Sequence, residues 1–354
     1  MSDPLVSICI PTYNRAEGLR RTLAAIRGWT YGRLEVLVSD NGSTDHTERV
    51  GREAEAADPR VRYVGHPDGL GLYGNHNFCS ENTTGDFLSI IHDHDQHDST
   101  LVNRLAGFLD EHPDVGVVSG DWAVIDEAGH TIGGRDHPGP DVRPGLAYIE
   151  QTLRSGRSFI GLPGAMIRRK ALGNIRFNER GPIGFKDFAV WCQIAEEWAV
   201  GHVPVRLSQW RLEQTSLSAR KIVSMADDYW QVCDEYCAGY LERHPGEAAR
   251  VGRWRRWIRQ YLFWALAYEV ALYCRSLASP GARAKSPTMF EAQGYQLSQD
   301  EFESARRQLR TYRTGALQGA ALLGIEWLLD KHVTRPLAWA TYHHTAVRNV
   351  LGLR

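Results

Sequence analysis

The stretch "DFLSIIHDHDQHD", residues 86–98, decides how the N-terminal part of this chain folds. Its first six residues form a nearly continuous apolar run, which is typical of a strand buried inside a parallel sheet. The seven positions that follow, from His92 to Asp98, carry six titratable side chains. Such side chains are rarely buried without partners, so we expect the strand to end in a polar loop at the edge of a sheet.

Strand and helix patterns alternate on the N-terminal side of this stretch. The runs "LVSICIP", "LEVLVSD" and "VRYVGH" are typical of strands, and Pro11 should end the first of them. Apolar residues at helical spacing predict a helix that ends at Gly28, and Thr44 and Asp45 can cap a second helix over residues 45–57. This alternation with short connections favours an open α/β sheet with right-handed crossovers.

The pattern becomes mixed and then helical on the C-terminal side. "VGVVSGDWAVID" predicts a strand, "GLPGAMIRRKAL" a strand followed by a helix, and "FKDFAVWCQIAEEW" an amphipathic helix. A helix that begins near Asp98–Ser99, with Asp98 as its N-cap, is also expected. From residue 222 onward we find no strand pattern. The sequence therefore predicts an α/β region over residues 1–220 and a helical region over residues 221–354.

Three polar clusters follow strands of the predicted sheet: "PTYNR", "SDNGSTD" and "HDHDQHD". Ligands of open α/β sheets bind beyond the carboxyl ends of the strands, where these clusters would meet. Asp93 and Asp95 supply hard oxygen ligands that suit Mn²⁺ or Mg²⁺, and these ions bridge carboxylates to phosphate oxygens. The neighbouring imidazoles would suit Mn²⁺ or a softer metal: His92, His94 and His97. The structural alternative is a solvated turn before the next helix.

These clusters carry a resemblance to a known family. "VSICIPTYNRAEGLRRTLAAI", "VLVSDNGSTDHT" and "GDFLSIIHDHD" are similar, in order and spacing over residues 5–100, to the family 2 glycosyltransferases of the GT-A fold. The resemblance implies a Rossmann-like mixed α/β sheet flanked by helices, with the C-terminal helical region beyond it. Residues 1–100 would be the nucleotide-binding half of the catalytic domain, and residues 101–220 the acceptor half.

The resemblance also implies roles for individual residues in a nucleotide-sugar site. The nucleoside would contact Pro11, Thr12, Tyr13 and Asp40, with the carboxylate of Asp40 accepting from the base imide. The donor's ribose and phosphates would lie near Arg15, Glu17, Asn77, Asp93 and Arg211. A metal ion, Mn²⁺ or Mg²⁺, would be held by the D-x-D pair Asp93 and Asp95 together with His94.

A general base is implied further along the chain. "GPIGFKDFAVW" resembles the family motif whose Asp deprotonates the acceptor, which makes Asp187 the expected base of an inverting transfer. Lys186 stands beside it, and a neighbouring cation should lower the pKa of Asp187. Asp187 could instead serve only the N-terminus of its helix. In "WRLEQTSLSAR", Glu213 stands where the family has His.

The chain departs from the family pattern at several positions. Asn41 replaces a second acid of the turn, His92 and His94 replace acids at the strand end, and His76 stands where the family has Arg. Protonated imidazoles repel a cation, so we expect the donor site to weaken below pH about 6.5.

The function implied is transfer of a sugar from a nucleoside-diphosphate sugar, with UDP as the leading expectation, to a hydroxyl or amine of an acceptor. The acceptor could be a glycan, a lipid-linked molecule or a small molecule. A nucleotide-sugar hydrolase, a nucleotidyltransferase, or a binding protein with a degenerate site would fit the same cluster. No G-x-G-x-x-G follows the first strand, which argues against a Rossmann dehydrogenase, and no nucleic-acid-binding module is recognised.

Composition indicates a folded protein and gives expectations for its location and its charge distribution. Hydrophobic residues make up 43% of the 354 residues, enough for a folded core, and the six cysteines show no pairing pattern. The start of the chain lacks the features of a signal peptide, so we expect a cytoplasmic protein, or one at the inner membrane face. The net charge of −1 conceals a basic C-terminal region, residues 251–354, with 15 Lys and Arg against 7 Asp and Glu.

The helical region allows two interpretations of its aromatic and basic stretch "RWRRWIRQYLFWALAYEVALYCRSL". In one, the helix forms the core of a helical subdomain or the interface of a homodimer. In the other, it lies on an anionic membrane with Trp254, Trp257 and Trp264 inserted and its arginines on the headgroups. Its fully apolar portion is too short to span a bilayer.

Overall fold

The computed structural model describes residues 3–137, 141–211, 222–278 and 299–313. The chain divides into two compact units. Unit 1 contains the described residues up to Ile149, Ser158–Gly181 and those from Lys186 to Arg211. Unit 2 contains Glu150–Arg157, Pro182–Phe185 and the described residues from 222 onward. The predicted boundary at residue 220 lies outside the described residues.

The strands of the described residues all join one mixed sheet. Their bounds are β1 Val6–Thr12, β2 Leu34–Asp40, β3 Val61–Gly65, β4 Phe87–Ile90, β5 Gln96–His97, β6 Val115–Ile125, β7 Thr131–Arg135, β8 Val142–Arg143, β9 Ala165–Arg168 and β10 Ala199–Arg211. The order is β3-β2-β1-β4-β9-β6-β10-β5, with β7 paired to β6 and β8 to β10. The four N-terminal strands β1 to β4 are parallel, whereas β9 runs antiparallel to β4 and β6.

Helices connect the strands and make up most of unit 2. Their bounds are α1 Ala16–Arg27, α2 Thr47–Ala57, α3 Leu72–Glu81, α4 Leu101–Glu111, α5 Gly145–Ser155, α6 Arg169–Leu172, α7 Lys186–Ile194, α8 Ile222–Arg243, α9 Ala248–Ala278 and α10 Gln299–Tyr312. None of the helices in the described parts of the chain combines the length and apolarity that crossing a membrane requires.

Hydrophobic patterning places the core of unit 1 between the sheet and its helices. In α1, Leu19, Leu23 and Ile26 are buried, as their spacing predicts. β1 is buried along almost its whole length, as expected for a central parallel strand with neighbours on both sides. The predicted α/β sheet and its mixed character are therefore present.

The first strand does not end at Pro11, as the sequence predicts, but runs through it to Thr12. On the β4 side of β1, the carbonyls of Leu5 and Cys9 accept hydrogen bonds from Phe87 and Ile91. Pairing with β4 ends at Cys9, so no ladder hydrogen bond is required from the next position on that side. Proline lacks the backbone N–H and is tolerated where the neighbouring strand has ended.

Two further elements differ from the sequence prediction. α4 begins at Leu101 rather than near Asp98–Ser99, and Asp98 accepts the backbone N–H of Thr100 from outside the helix, 2.8 Å away. No sequence pattern indicates β10. The alternation of apolar and polar residues in β10 is broken around Pro204, where the register against β6 shifts. Its strand conformation depends on pairing with β6 and β5.

Unit 2 has an aromatic core of its own. Trp254 of α9 is fully buried, its ring 4.7 Å from that of Tyr240 and 6.3 Å from that of Tyr236 on α8. Its indole N–H donates to Glu150, 3.3 Å away. Trp254 therefore belongs to a helical core and is not available for insertion into a membrane. The homodimer expected through these helices stays a prediction.

Gly18 allows α1 to pack closely against the loop after β4. A Cβ atom at this position would lie 2.4 Å from the carbonyl oxygen of Asp93. Gly18→Ala should therefore lower the free energy of unfolding by about 1–3 kcal/mol, the typical cost of overpacking. Chemical denaturation of the purified variant measures this.

The matched control for this prediction is Gly107→Ala in α4. Gly107 is also helical, but it is exposed and a Cβ atom there would meet nothing within 4 Å. Alanine should raise the free energy of unfolding there by about 0.5–1 kcal/mol, because it restricts the unfolded chain. Equal effects at the two positions would contradict the packing assigned to Gly18.

Candidate functional site

The polar loops after β1, β2 and β4 meet at the carboxyl edge of the sheet, as predicted. The parallel register pairs Thr12 with Asp40 and Cys9 with Ile90, which brings the three strand ends together. The hydroxyl of Thr12 donates to Asp93 over 2.6 Å, joining the end of β1 to the loop after β4. Both side chains are buried.

The loop after β1 is locked to the loop after β2. Asn14 adopts a left-handed conformation with φ of 52°, which Asn tolerates better than most residues. Its side-chain oxygen accepts the backbone N–H of Thr44 at 2.7 Å, and its own N–H donates to Ser43 at 2.8 Å. Tyr13, held between β1 and this turn, is 55% exposed. Its ring is therefore open to a stacking partner such as a nucleobase.

Asp40 is buried at the end of β2 and organises the turn that follows. One carboxylate oxygen accepts the backbone N–H of Ser43 at 2.9 Å and also its hydroxyl, and the other accepts the hydroxyl of Tyr63 at 2.6 Å. Burial and this bond to Asp40 raise the pKa of Tyr63, so its hydroxyl stays a donor at neutral pH. Asp40 thus accepts hydrogen bonds from three donors of the protein. Its contact with the nucleobase, which the resemblance implies, stays a prediction.

The remaining predicted residues of the first loop lie close by. Pro11 is half-buried in β1, and the backbone N–H of Arg15 donates to the hydroxyl of Thr47 at 3.0 Å. Glu17 is exposed at the start of α1, with Arg21 at 3.6 Å. The contacts of Arg15 and Glu17 with ribose or phosphate stay predictions.

The acidic and imidazole side chains after β4 form a compact group. His92, His94 and Asp95 each offer one ligand atom, and these atoms lie within 4.8 Å of one another. Asp95 Oδ2 and His92 Nδ1 are 3.3 Å apart but are not aligned as a hydrogen bond. Neither atom has another hydrogen-bond partner among the described residues. Two buried polar atoms of this kind suit a cation, so the residues present fit a divalent metal.

We call the group of His92, His94 and Asp95 the His92–His94–Asp95 cluster. Asp93 lies beside this cluster and is not part of it. Its Oδ2 accepts from Thr12, and its Oδ1 lies 3.2 Å from Nδ1 of His94. Of the three predicted metal ligands, His94 and Asp95 belong to the cluster, whereas Asp93 orients the ring of His94. A ligand role for Asp93 stays a prediction.

The histidines near the cluster differ in their tendency to carry charge. Burial lowers the pKa of His76 and of His97 to about 4, so both rings are neutral at physiological pH. Burial also opposes the charged form of His92, but the carboxylates of Asp95 and Asp93 outweigh it and raise its pKa. Of these three rings, His92 alone has a pKa shifted in the direction that favours a positive charge.

Arg211 reaches the same edge from the end of β10. Its backbone N–H donates to Asp95 Oδ1 at 3.0 Å, which fixes that carboxylate. Its guanidinium donates to the carbonyls of His94, Asp126 and Glu127 at 3.3, 3.0 and 2.8 Å. In this structure the guanidinium of Arg211 therefore binds backbone carbonyls of two loops. Its contact with a phosphate stays a prediction. Glu213 lies outside the described residues.

Asn77 of α3 ties the site to the segment before α7. Its amide nitrogen donates to Phe177 O and to Glu179, both at 2.9 Å, and its oxygen accepts the N–H of Phe177 at 2.8 Å. The side chain is buried and fully engaged, so in this structure it holds the turn at residues 177–179. Its contact with the donor stays a prediction.

Asp187 is only partly buried, at the first turn of α7, and its pKa differs from the sequence prediction. The expected lowering by Lys186 is wrong, because Lys186 is itself buried and its ammonium donates to the carbonyl of Arg180 at 2.7 Å. Burial raises the pKa of Asp187, against smaller opposing contributions from the N–H of Phe188 and the charge of His92. A raised pKa favours proton acceptance near neutral pH.

Tyr73 is an additional residue of the site that the sequence did not single out. Its ring stacks on Phe177 at 5.7 Å and lies 5.6 Å from the ring of His76. Burial and the charge of Asp187 raise its pKa, and its hydroxyl accepts the backbone N–H of Lys186. Tyr73 therefore fixes the start of α7 next to the base candidate. Only its place four residues before Asn77, one helical turn away, could have indicated it.

Comparison with known proteins agrees with this geometry. Residues 7–176 match the profile of the family described as "Glycosyl transferase family 2". These residues belong to glycosyltransferase family 2. The match covers the three strand-end loops and the His92–His94–Asp95 cluster, and it ends before Asp187.

Several curated proteins similar to the family 2 domain are named as glycosyltransferases. Glycosyltransferase AglE of Haloferax volcanii is 34% identical over 90 residues, 25% of this chain and 30% of that protein. A UDP-Glc:alpha-D-GlcNAc-diphosphoundecaprenol beta-1,3-glucosyltransferase, WfgD of Escherichia coli, is 23% identical over 248 residues, 69% of this chain and 90% of that protein. The chain spans less than a third of the length of AglE and of a Campylobacter jejuni glucosyltransferase that it also resembles.

Solved structures confirm the predicted GT-A fold. S. aureus TarS 1–349, crystallised with UDP-GlcNAc, matches with a TM-score of 0.57 and 14% sequence identity. The match covers 96% of this chain and 91% of TarS 1–349. At this level of identity the likeness concerns the fold of the chain.

Proposed function

We propose that this chain is a glycosyltransferase that moves a sugar from a nucleoside-diphosphate sugar to an acceptor nucleophile with inversion. The observation that carries the proposal is the His92–His94–Asp95 cluster at the carboxyl edge of a family 2 sheet. An exposed aromatic ring at Tyr13 and a base candidate at Asp187 accompany the cluster. A transferase site of this kind needs three parts: a surface for the nucleobase, a cation for the diphosphate leaving group and a general base for the acceptor.

A divalent cation would be held by Asp95, His92 and His94, with Asp93 orienting the imidazole of His94. When bound, such a cation neutralises the charge that develops on a diphosphate leaving group. Two imidazoles and one carboxylate form a softer ligand set than the all-oxygen environment that Mg²⁺ favours. We therefore infer that Mn²⁺ is preferred over Mg²⁺.

The protein's own groups account for the other requirements of transfer. Asp187 accepts the proton of the attacking hydroxyl or amine at its carboxylate, and the raised pKa keeps that oxygen basic enough to do so. Tyr73 fixes the start of α7, the helix that carries this carboxylate, by accepting the backbone N–H of Lys186. Tyr13 stacks on the base of the donor, for which UDP is the leading candidate because TarS was crystallised with UDP-GlcNAc.

The acceptor is proposed to be lipid-linked. WfgD and the C. jejuni relative are both named for acceptors linked to undecaprenol through a diphosphate. An acceptor of this kind would require the protein to work at the inner membrane face.

Calorimetry with UDP and a panel of nucleotide sugars, each with and without Mn²⁺, tests the proposal. We expect one donor to bind in a manner that depends on Mn²⁺, with a weaker response to Mg²⁺. The matching transfer assay should release the nucleoside diphosphate only when an acceptor is present. Release without acceptor would indicate a hydrolase, and release of pyrophosphate a nucleotidyltransferase. Folded protein that binds no donor under any condition would overturn the proposal in favour of a degenerate site.

A further inference from the structure

The first turns of α9 in unit 2 carry an arginine-rich surface. Between residues 248 and 267 this helix has five arginines and no acidic residue. The opposite side of the same turns is buried, through Val251, Trp254, Ile258 and Leu262. The helix is therefore anchored in the core of unit 2, and its exposed side is presented in a fixed orientation.

Three of the five arginines are engaged within unit 2. Arg250 pairs with Glu247 at 2.7 Å, and Arg255 with Asp234 at 2.6 Å. The guanidinium of Arg259 lies 4.7 Å from the ring centroid of Trp230. These contacts partly neutralise Arg250 and Arg255 and place Arg259 against an aromatic ring of α8.

The remaining two arginines, Arg253 and Arg256, form the outward face. Both are exposed, and among the described residues neither contacts an acidic side chain. They are three positions apart and so lie on neighbouring parts of one helix face. A pair of exposed guanidinium groups with no acidic partner among the described residues matches a surface of closely spaced phosphates, since guanidinium binds phosphate oxygens in a bidentate manner.

We propose that the Arg253–Arg256 face of α9 binds the anionic phospholipid headgroups of a membrane. The arginines would bind the headgroups by electrostatic attraction, and Trp254, which is buried, would not insert into the bilayer. Each arginine near an anionic bilayer surface strengthens binding by roughly fivefold. A purely electrostatic contact of this type is reversible and sensitive to salt. For the lipid-linked acceptor of the proposed function, this face would bring the enzyme to its substrate, whereas lipid binding itself requires only residues of unit 2.

Co-sedimentation of the full chain with vesicles tests this face. Wild-type protein should pellet with vesicles that contain phosphatidylglycerol, should pellet less at high salt, and should remain in the supernatant with pure phosphatidylcholine. Arg253→Glu/Arg256→Glu should lower vesicle affinity by at least about 25-fold, the product of two lost contacts. Arg253→Gln/Arg256→Gln should give the same direction of change with less risk to folding.

The matched control carries the same charge change on unit 1. Arg49→Glu/Arg52→Glu alters two exposed arginines of α2, which lie beside Glu53 and Glu48, and should bind vesicles as the wild type does. Equal loss in the control, unchanged binding of both α9 variants, or absence of wild-type binding would each overturn the proposal. Binding to heparin without binding to vesicles would overturn it in favour of a soluble anionic polymer. The assay contains neither donor nor acceptor, so its failure leaves the proposed transferase activity standing.

Discussion

Replacing Asp187 with Asn should lower kcat for sugar transfer by about 10²- to 10⁴-fold, the usual contribution of a general base. Asn preserves the size of the side chain and its place at the start of α7, but its amide cannot accept the proton. Donor affinity, measured by calorimetry, should stay within a few-fold of wild type, because the base acts on the acceptor. Glu197→Gln, an exposed change just beyond the same helix, is the matched control.

The pH profile and stability of this variant separate catalysis from unfolding. In the wild type, kcat should fall as the pH drops through the raised pKa of Asp187, because only the carboxylate accepts a proton. A folded-state pKa above the unfolded value means that the ionised group costs stability at neutral pH. Asn should therefore leave the free energy of unfolding unchanged or raise it. Full activity in Asp187→Asn would show that another group is the base.

Replacing Asp95 with Asn should weaken Mn²⁺-dependent donor binding by at least about 100-fold, since even outer-shell changes at metal sites cost 10- to 100-fold. The Asn side-chain oxygen can still accept the backbone N–H of Arg211, so the end of β10 should keep its place. Binding of the donor without metal should change little. Calorimetry with and without Mn²⁺, on wild type and variant, measures both quantities.

Two comparisons sharpen this test. Asp98→Asn lies three residues beyond Asp95, after β5 and outside the His92–His94–Asp95 cluster, and Mn²⁺ binding should be retained. Asp93→Asn should have a smaller effect than Asp95→Asn, because Asp93 contacts Thr12 and His94 rather than completing the cluster. If Asp95→Asn bound Mn²⁺ as tightly as wild type does, the cluster would not be the metal site.

The edge of the sheet that holds the candidate site could be predicted from the sequence. Strand patterns are local, and parallel strands deliver their carboxyl ends to one edge, so "PTYNR", "SDNGSTD" and "HDHDQHD" had to meet if the three strands paired. The likeness to family 2 could be predicted from the same loops, because they contain the motifs that carry it, and the family match spans all three. The position of Tyr13 and Asp95 at this edge could therefore be predicted without coordinates.

The electrostatic state of the site could not be predicted in the same way. Lys186 stands beside Asp187 in the sequence, yet successive side chains of a helix point in different directions, and the ammonium bonds to the carbonyl of Arg180. Burial, which depends on everything packed around the carboxyl, then sets the direction of its pKa. Similarly, burial keeps His76 and His97 neutral while carboxylates raise the pKa of His92.

The sequence by itself determined which segments become the N-terminal strands, where their polar loops lie and which family the domain joins. Those properties depend on local patterns and on the fixed geometry of parallel strands. Only the tertiary structure decided that Ala199–Arg211 is a strand, that His92 rather than Asp93 completes the cluster, and that Trp254 is buried. These features depend on contacts between residues far apart in the chain, and no local pattern encodes which distant side chains surround a given group.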